Sequence, residues 1–453
     1  MAGSVVASLP LPSGGGVYYY PGLNVFSYRR ESVFEDSRVE GLQDVVWRLY
    51  LFARKVRMLN ASMGELRNLT VEPYKTCNLS CKYCYASAGP VKSDHVDPAD
   101  VVRLSETYHL RRMSVYGGDP LVRKDLLSSY HSNTEWERFW FSTNGVNLDA
   151  NLVKGLLSRQ NVNFQIGIEP AEWMKRVDIK GRPQFQLLGD KLKLLNGLSN
   201  FSFRVILSSG VPYVPLKSFL DYLIVEVGHS NFSVTYWTNY AEGEQLVDWY
   251  PSWIAESHQL LSDDSKRYLN KVVGHSLSIA VGEMKDNVFH YFNCDAAMTG
   301  VQYGFDKRIH ACHENAVNEV QSDIISTVEN PLRIDNTKKM RIAYLWSNNK
   351  NNDYCKGCVA RYVCGGCFIR APPYSVCSFH RETLPLAMAC FFVENPQGGS
   401  ELVEKSQKRL ESIVRRRKEY ESELAKEELV GFIDGTISVE RACSIASEHR
   451  VTL

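Results

Sequence analysis

Residues 69–85 read LTVEPYKTCNLSCKYCY and join a short apolar run to a loop that contains three cysteines. The run at residues 69–73 predicts a buried strand. Cys77, Cys81 and Cys84 then fall within eight residues, so one tight loop presents three thiolates. Four cysteines usually hold an iron-sulfur cube, and three therefore leave one iron open to an outside donor. A structural zinc site is the alternative, although such sites usually close with four ligands in paired spacing.

Strand-like runs alternate with amphipathic helices from about residue 67 to residue 237. This alternation predicts an α/β fold with a parallel sheet and crossover helices. Six such units make a partial (β/α)6 barrel, in which ligand sites lie at the C-terminal ends of the strands. The predicted strands lie at residues 69–73, 113–116, 139–142, 163–168, 203–207 and 232–237.

The composition excludes several classes of protein. The chain has 453 residues, of which 44% are hydrophobic and 23% charged, as in ordinary globular proteins. Its 52 basic and 51 acidic residues nearly cancel, so we expect no nucleic-acid or membrane partner. The longest apolar stretch, residues 384–393, is about half of what a membrane-spanning helix needs. Residues 1–16 lack the pattern of a secretory signal, and we therefore expect a cytoplasmic protein.

In a reducing compartment, cysteines bind metals more often than they form disulfides. Eight of the twelve cysteines form a second block, which fits two sets of four ligands for iron-sulfur clusters or for zinc. Cys443 stands apart in a predicted helix and is interpreted as a buried thiol. The second block consists of Cys294, Cys312, Cys355, Cys358, Cys364, Cys367, Cys377 and Cys390.

The chain is predicted to have four regions. A helix is predicted within the N-terminal region at residues 42–58, and a glycine-containing hinge at residues 397–400. The regions are residues 1–66, a candidate substrate-docking segment; residues 67–245, the partial barrel; residues 246–395, a linker and the cysteine-rich domain; and residues 396–453, a charged helical tail.

The three-cysteine loop resembles the signature of the radical S-adenosylmethionine superfamily, Cys-x3-Cys-x-aromatic-Cys, with Tyr83 at the aromatic position. The resemblance implies that Cys77, Cys81 and Cys84 hold a 4Fe-4S cluster and that S-adenosylmethionine fills its open iron. It also implies reductive cleavage of that cofactor into methionine and a 5'-deoxyadenosyl radical, which takes a hydrogen atom from a second substrate.

Loops after the next strands resemble the cofactor-binding motifs of the same superfamily. Residues 117–121, GGDPL, are similar to its Gly-Gly-Glu-Pro motif, and residues 142–145, STNG, to its Ser-Thr-Asn-Gly turn. Gly167 stands where relatives often carry a serine, so Glu169, Lys180 or Arg182 would have to compensate, and each is equally well explained as a solvated charge. The residues expected to bind the cofactor are Tyr83, Gly117, Gly118, Asp119, Pro120, Ser142, Asn144, Glu169, Lys180 and Arg182.

The second cysteine block resembles the SPASM extension of radical enzymes that mature peptides and proteins. The resemblance implies two auxiliary 4Fe-4S clusters. One would use Cys294, Cys312 and Cys367, and the other would use Cys355, Cys358, Cys364 and Cys390. Cys377 is an additional candidate, so the fourth ligand of each cluster stays open. The spacing departs from the family pattern, because only two glycines separate the cysteines at 364 and 367.

His313 follows the second cysteine of this block, where sulfatase-maturing relatives place an acidic base. It is interpreted either as the base that removes a substrate proton or as a neighbour of cluster sulfur. The resemblances together imply an oxidoreductase that crosslinks, dehydrogenates or forms a thioether in a peptide or small protein, with a flavodoxin or ferredoxin as electron donor. The alternatives are a dehydrogenase of a small molecule such as a sugar alcohol and a non-catalytic, zinc-binding interaction protein.

Overall fold

The computed structural model of the chain describes residues 7–10, 16–20, 23, 25–27, 41–84, 86–91, 93–207, 218–219, 222–223, 225–228, 232–236, 294–312, 321–358 and 396–449. They belong to two compact units. The first unit combines residues 1–60, 248–294 and 343–453, and the second combines residues 61–247 and 295–342. The predicted division into four regions stays a prediction.

The first unit begins with a small antiparallel sheet. Its strands are Ala7–Pro10 (β1), Gly16–Tyr20 (β2) and Val25–Ser27 (β3), and they pair in that order. The helix Leu42–Met63 (α1) follows. It begins at the predicted residue and ends five residues later than predicted.

The second unit is built on an eight-stranded sheet. Its strands are Asn68–Val71 (β4), Arg112–Val115 (β5), Arg138–Thr143 (β6), Val162–Ile168 (β7), Phe201–Leu207 (β8), Phe232–Tyr236 (β9), Gly300–Tyr303 (β10) and Ile309–His310 (β11). They lie in the order β11-β10-β4-β5-β6-β7-β8-β9, and only the pair of β10 and β11 is antiparallel.

The six predicted strands are present as β4 to β9, and each end lies within two residues of its predicted position. Aromatic side chains on neighbouring strands stabilise this part of the sheet. Phe164 stacks on Phe141 with a centroid distance of 5.5 Å and on Phe201 at 5.3 Å, and all three are buried. Burying such a side chain contributes about 1.5–3 kcal/mol. The predicted α/β fold with a parallel, partial-barrel sheet is confirmed.

Helices run between the strands of the second unit. Local sequence sets the start of Pro98–Tyr108 (α2), because the Asp97 side chain accepts a hydrogen bond from the Ala99 amide at 2.9 Å and Pro98 occupies the first turn. Among the residues that the structure describes, the other α-helices between these strands are Lys124–Ser132 (α3), Ala150–Leu152 (α4) and Gln184–Leu188 (α5), and Asn336–Ser347 (α6) follows β11.

Strands β10 and β11 were not predicted. Strand β10 pairs with β4 in parallel and thereby covers an edge that an open barrel would leave exposed. All four of its residues, GVQY, are buried, so they lack the alternation of a half-buried strand. A Cβ atom on Gly300 would lie 2.3 Å from the Asp295 carboxylate, which explains the glycine at this position.

The tail contributes further helices to the first unit, as predicted. Lys55 of α1 is buried and donates to the carbonyl oxygens of Phe432 and Ile433, both at 2.6 Å. The predicted hinge at residues 397–400 is wrong, because these residues lie in the first turn of a helix that starts at Pro396, where proline is favoured. The described helices of the tail are Pro396–Arg415 (α8), Arg417–Leu424 (α9), Glu427–Asp434 (α10) and Val439–Glu448 (α11), and the short helix Asp353–Gly357 (α7) precedes the tail.

Among the helices in the described ranges, none combines the length and the apolar character that crossing a bilayer requires.

Candidate cofactor site

Four predicted site segments meet at one edge of the sheet. The three-cysteine loop follows β4, the loop at Gly117 follows β5, the turn at Asn144 follows β6 and Glu169 follows β7. These strands are parallel neighbours, so their C-terminal ends lie side by side. The structure therefore brings together segments that are separated by up to about 90 residues in the chain.

Backbone hydrogen bonds fix the three-cysteine loop against the segment that follows β7. The Ser80 amide donates to the Val177 carbonyl at 2.7 Å, and the Lys82 amide donates to the Lys175 carbonyl at 3.0 Å. The thiols are partly buried beside this contact. A short loop with this support keeps the cysteine positions defined before any metal binds.

The sulfur atoms of Cys77 and Cys84 receive N–H donors. The amide of Leu79 donates to Cys77 Sγ and the amide of Ala88 donates to Cys84 Sγ, each at 3.4 Å. Asn144 Nδ2 lies 3.5 Å from Cys77 Sγ. Such donors stabilise negative charge on sulfur, and cysteine binds iron as the negatively charged thiolate.

Burial disfavours charge on these thiols when no metal is bound. It raises the pKa of Cys77 to about 12, and the Asp119 carboxylate adds to the rise. Burial also raises the pKa of Cys81, whereas the Arg176 guanidinium opposes that rise. Iron supplies the positive charge that stabilises thiolates, so metal binding and loss of the thiol protons are coupled.

The loop after β5 packs directly against the start of the cysteine loop. A Cβ atom on Gly118 would lie 2.1 Å from the carbonyl oxygen of Thr76, the residue before the first cysteine. The Asp119 amide donates to the same carbonyl at 3.0 Å. Gly117 has φ +108°, which also favours glycine. Both glycines are therefore required for this close contact between the two loops.

The Asp119 carboxylate is buried and accepts hydrogen bonds from within the chain. Its donors are the amide of Leu121 at 2.8 Å, the Thr143 hydroxyl at 2.9 Å and the amide of Asn144 at 2.6 Å. Burial raises the pKa of Asp119, and these donors oppose the rise. The carboxylate thus joins the loop after β5 to the turn after β6. Its expected contact with the cofactor stays a prediction.

Glu169 and Tyr83 belong to a partly buried polar group beside the cysteine loop. The Tyr83 hydroxyl donates to Glu169 Oε2 at 3.2 Å and accepts from Arg176 Nη1 at 3.4 Å. The amides of Lys175 and Arg176 donate to Glu169 Oε1. The Glu169 carboxylate is consequently held in place by the backbone, and its partner across the Tyr83 hydroxyl is a guanidinium.

Arg176 is the residue that the sequence analysis missed. A Cβ atom on Gly167 would lie 2.9 Å from both Nη atoms of Arg176, so the guanidinium occupies the space beside the glycine. In the sequence, the only indication of Arg176 was that Gly167 replaces the expected serine and so leaves space for another side chain. Of the two cations proposed to compensate, Lys180 is exposed and Arg182 pairs with Asp178 at 2.7 Å.

The other predicted cofactor residues lie in the same loops. Pro120 is buried at the start of a short 3-10 helix, and its carbonyl accepts from the Tyr74 hydroxyl at 3.1 Å. Ser142 lies near the end of β6 and Gly145 has φ +76°, as a tight turn requires.

The structure describes only half of the second cysteine block. Cys312 and Cys355 are buried, and Cys294 and Cys358 are partly buried. Cys355 and Cys358 lie one helical turn apart, and the Cys358 amide donates to the Cys355 carbonyl at 3.1 Å. The members outside the described residues are Cys364, Cys367, Cys377 and Cys390, together with the candidate base His313.

The residues at the sheet edge fit an iron-sulfur cluster with a polar cofactor beside it. Within the described ranges, no three His, Cys, Asp or Glu side chains converge on one metal ion. A four-iron cube does not need such convergence, because each thiolate binds a different iron. Four buried polar atoms around the site also lack hydrogen-bond partners within the protein, as expected of atoms that would contact a polar ligand. They are Asn78 Nδ2, Trp173 Nε1, Arg176 Nε and Gln184 Oε1.

A parallel sheet that carries three cysteines after one strand and a Gly-Gly-acidic-Pro loop after the next resembles the core of radical S-adenosylmethionine enzymes. Residues 71–185 match the family model described as the Radical SAM superfamily. This part of the chain is therefore similar to that superfamily. The superfamily implies one 4Fe-4S cluster and bound S-adenosylmethionine.

Curated relatives match part of the chain. A probable GTP 3',8-cyclase from Archaeoglobus fulgidus is 29% identical over 125 residues, which is 26% of this chain and 42% of the relative. The mycofactocin maturase MftC from Mycolicibacterium smegmatis is 26% identical over 144 residues, 30% of this chain and 35% of the relative. The chain thus spans less than half the length of either relative.

Solved structures share the fold. Native anSMEcpe with bound AdoMet has a TM-score of 0.53 and 14% sequence identity, and the match covers 75% of this chain and 99% of that one. At this identity the similarity extends to the fold alone.

Proposed function

We propose that this protein cleaves S-adenosylmethionine reductively and uses the resulting radical to oxidise a peptide or small protein. The arrangement that carries the proposal is the three-cysteine loop held against Gly118 and beside Arg176 at one edge of the parallel sheet. Three thiolates leave one iron of a four-iron cube without a protein ligand. The Arg176 cation and several N–H donors lie beside the cysteine loop, where they could bind a polar cofactor.

Each group at the sheet edge is proposed to have a distinct role. Cys77, Cys81 and Cys84 hold the cluster, and the backbone at Gly117 and Gly118 allows the cofactor to approach closely. The cluster and S-adenosylmethionine, when bound, supply the electron and the primary radical. Arg176 is proposed to bind the cofactor's carboxylate, because its positive charge acts on Cys81 and its Nε has no protein acceptor.

Replacing Arg176 with methionine is expected to weaken S-adenosylmethionine binding by about 10- to 100-fold, since charge-assisted hydrogen bonds contribute about 1.5–3 kcal/mol. Gly167→Ala should weaken binding by about tenfold, because the added Cβ displaces the same guanidinium. The two effects should not add, since the alanine has nothing to displace once Arg176 is gone. Anaerobic calorimetry of the single and double variants measures all three values.

The matched control is Arg182→Met, which removes a largely exposed cation of the same loop that pairs with the buried Asp178. Its affinity for the cofactor should equal that of the wild type. Wild-type affinity in Arg176→Met, or additive losses in the double variant, would contradict the proposed role.

The second cysteine block favours a peptide substrate, because it resembles an extension found in peptide-modifying radical enzymes. One relative is named a maturase, whereas others are named GTP 3',8-cyclases, so a nucleotide substrate is the second candidate. The block is proposed to hold two auxiliary 4Fe-4S clusters, which could accept an electron from the oxidised substrate. An external flavodoxin or ferredoxin is the proposed source of the first electron.

Substrate trials separate these candidates. The reduced enzyme with S-adenosylmethionine is expected to modify a peptide encoded beside its gene, with 5'-deoxyadenosine formed in step with a peptide mass loss of about two hydrogens per oxidation. GTP and a polyol are tested in parallel. A new nucleotide product with an unchanged peptide would replace the peptide proposal with the nucleotide one, and mass spectrometry reads out every trial.

A further inference from the structure

The side-chain amide of Asn144 is directed at a cluster ligand. Its Nδ2 lies 3.5 Å from Cys77 Sγ and donates to Asn78 Oδ1 at 2.6 Å. The amide orientation is defined, because Asn144 Oδ1 accepts from the Val146 amide at 2.9 Å. The nitrogen, rather than the oxygen, therefore faces the sulfur.

Asn144 is also held rigidly on its backbone side. Its amide donates to Asp119 Oδ2 at 2.6 Å, and its carbonyl accepts from Gln184 Nε2 at 2.6 Å. Asn144 is 4% exposed and Asp119 is 3% exposed, so water competes little for these contacts. Every polar group of Asn144 thus has a defined partner, and the amide cannot turn away from Cys77 without breaking several bonds.

A donor in this position affects reduction of a cluster. The added electron increases negative charge on the cluster and its sulfur ligands, and an N–H group stabilises that charge. Cys77 receives a second donor from the Leu79 amide, which side-chain replacement leaves in place. Replacing the Asn144 side chain therefore tests the effect of a single N–H donor on a single cysteine ligand.

We propose that Asn144 is a positioning residue that raises the reduction potential of the cluster at Cys77, Cys81 and Cys84 by donating to Cys77 Sγ. The inference rests on the proposed function and adds a role to this residue beyond contact with the bound cofactor. Through Asp119, the same residue joins the cluster ligand to the loop after β5. The geometry thus links the electron-accepting site to the loop expected to hold the cofactor.

The test is an EPR-monitored redox titration of the full-length, anaerobically reconstituted enzyme. The signal that changes on addition of S-adenosylmethionine identifies the relevant cluster. Asn144→Ala should lower the equilibrium constant for reduction of the cluster by up to about tenfold. For a one-electron couple this corresponds to a reduction potential lower by about 59 mV. Asn144→Asp should shift the potential further in the same direction, because a carboxylate removes the donor and adds negative charge.

Asn147→Ala is the control, because its amide lies in the same turn and donates to the Leu121 carbonyl instead of to sulfur. Its potential should equal that of the wild type, and iron and sulfide contents should agree among all variants. A wild-type potential in both Asn144 variants would overturn the inference. So would loss of the cluster from both variants, since that result would assign Asn144 to assembly. A wild-type enzyme that binds its cluster but never cleaves S-adenosylmethionine would instead refute the proposed function.

Discussion

Replacing Cys81 with alanine is expected to lower 5'-deoxyadenosine formation by more than about 100-fold, because removing a cluster ligand costs more than the 10- to 100-fold typical of its outer partners. The thiol lies between Cys77 and Cys84 in the loop that Ser80 and Lys82 anchor to the segment after β7. Two thiolates cannot retain a four-iron cube in a defined position. Iron analysis should show the loss of about four iron atoms per chain.

Cys443→Ala is the matched control for that variant. Cys443 is partly buried in α11, in a different compact unit from the three-cysteine loop. This variant also replaces a cysteine with alanine, yet its iron content and its 5'-deoxyadenosine formation should equal those of the wild type. Full activity in Cys81→Ala would contradict the ligand assignment, and zinc without sulfide in the wild type would favour the zinc-binding alternative.

Gly118→Ala is the second substitution with a large expected effect. The added Cβ atom would lie 2.1 Å from the Thr76 carbonyl oxygen and 2.9 Å from the Thr76 carbonyl carbon and amide nitrogen. The clash is between the new Cβ atom and backbone atoms of Thr76, which cannot move aside as a flexible side chain can. The loop after β5 must therefore separate from the start of the cysteine loop. We expect the free energy of unfolding to fall by about 1–3 kcal/mol and 5'-deoxyadenosine formation to fall by about 100-fold.

Gly155→Ala makes the same chemical change where no atom lies within 4 Å of the new Cβ. It should keep full activity and should not lower the unfolding free energy, because alanine is favoured over glycine within a helical segment. Denaturant titration and a 5'-deoxyadenosine assay compare the two variants. Wild-type activity in Gly118→Ala would show that the close contact is not needed.

The sequence predicted the barrel strands well because each is a short apolar run between turn residues, a pattern set by local burial. It failed for β10, whose pairing with β4 joins segments more than 200 residues apart. The hinge prediction at residues 397–400 failed because glycine composition alone does not show that a proline has already set the first turn of a helix.

Among the site residues, too, those set by local sequence could be predicted and those set by contacts between separate loops could not. The cysteines and the loop glycines follow strands directly, so their positions could be expected from motif and strand order. Arg176 could not be expected, because its role depends on a loop that returns to cover Gly167. The orientation of Asn144 toward Cys77 and of Asp119 toward Thr143 also depends on contacts between separate loops.

The most direct test of the account is double-resonance EPR on the reduced wild-type enzyme with S-adenosylmethionine carrying ¹⁷O in its carboxylate and ¹⁵N in its amino group. We expect hyperfine coupling from both labels, since the amino and carboxylate groups are proposed to fill the iron that Cys77, Cys81 and Cys84 leave open. Cofactor that binds without coupling from either label would contradict an open iron at this loop.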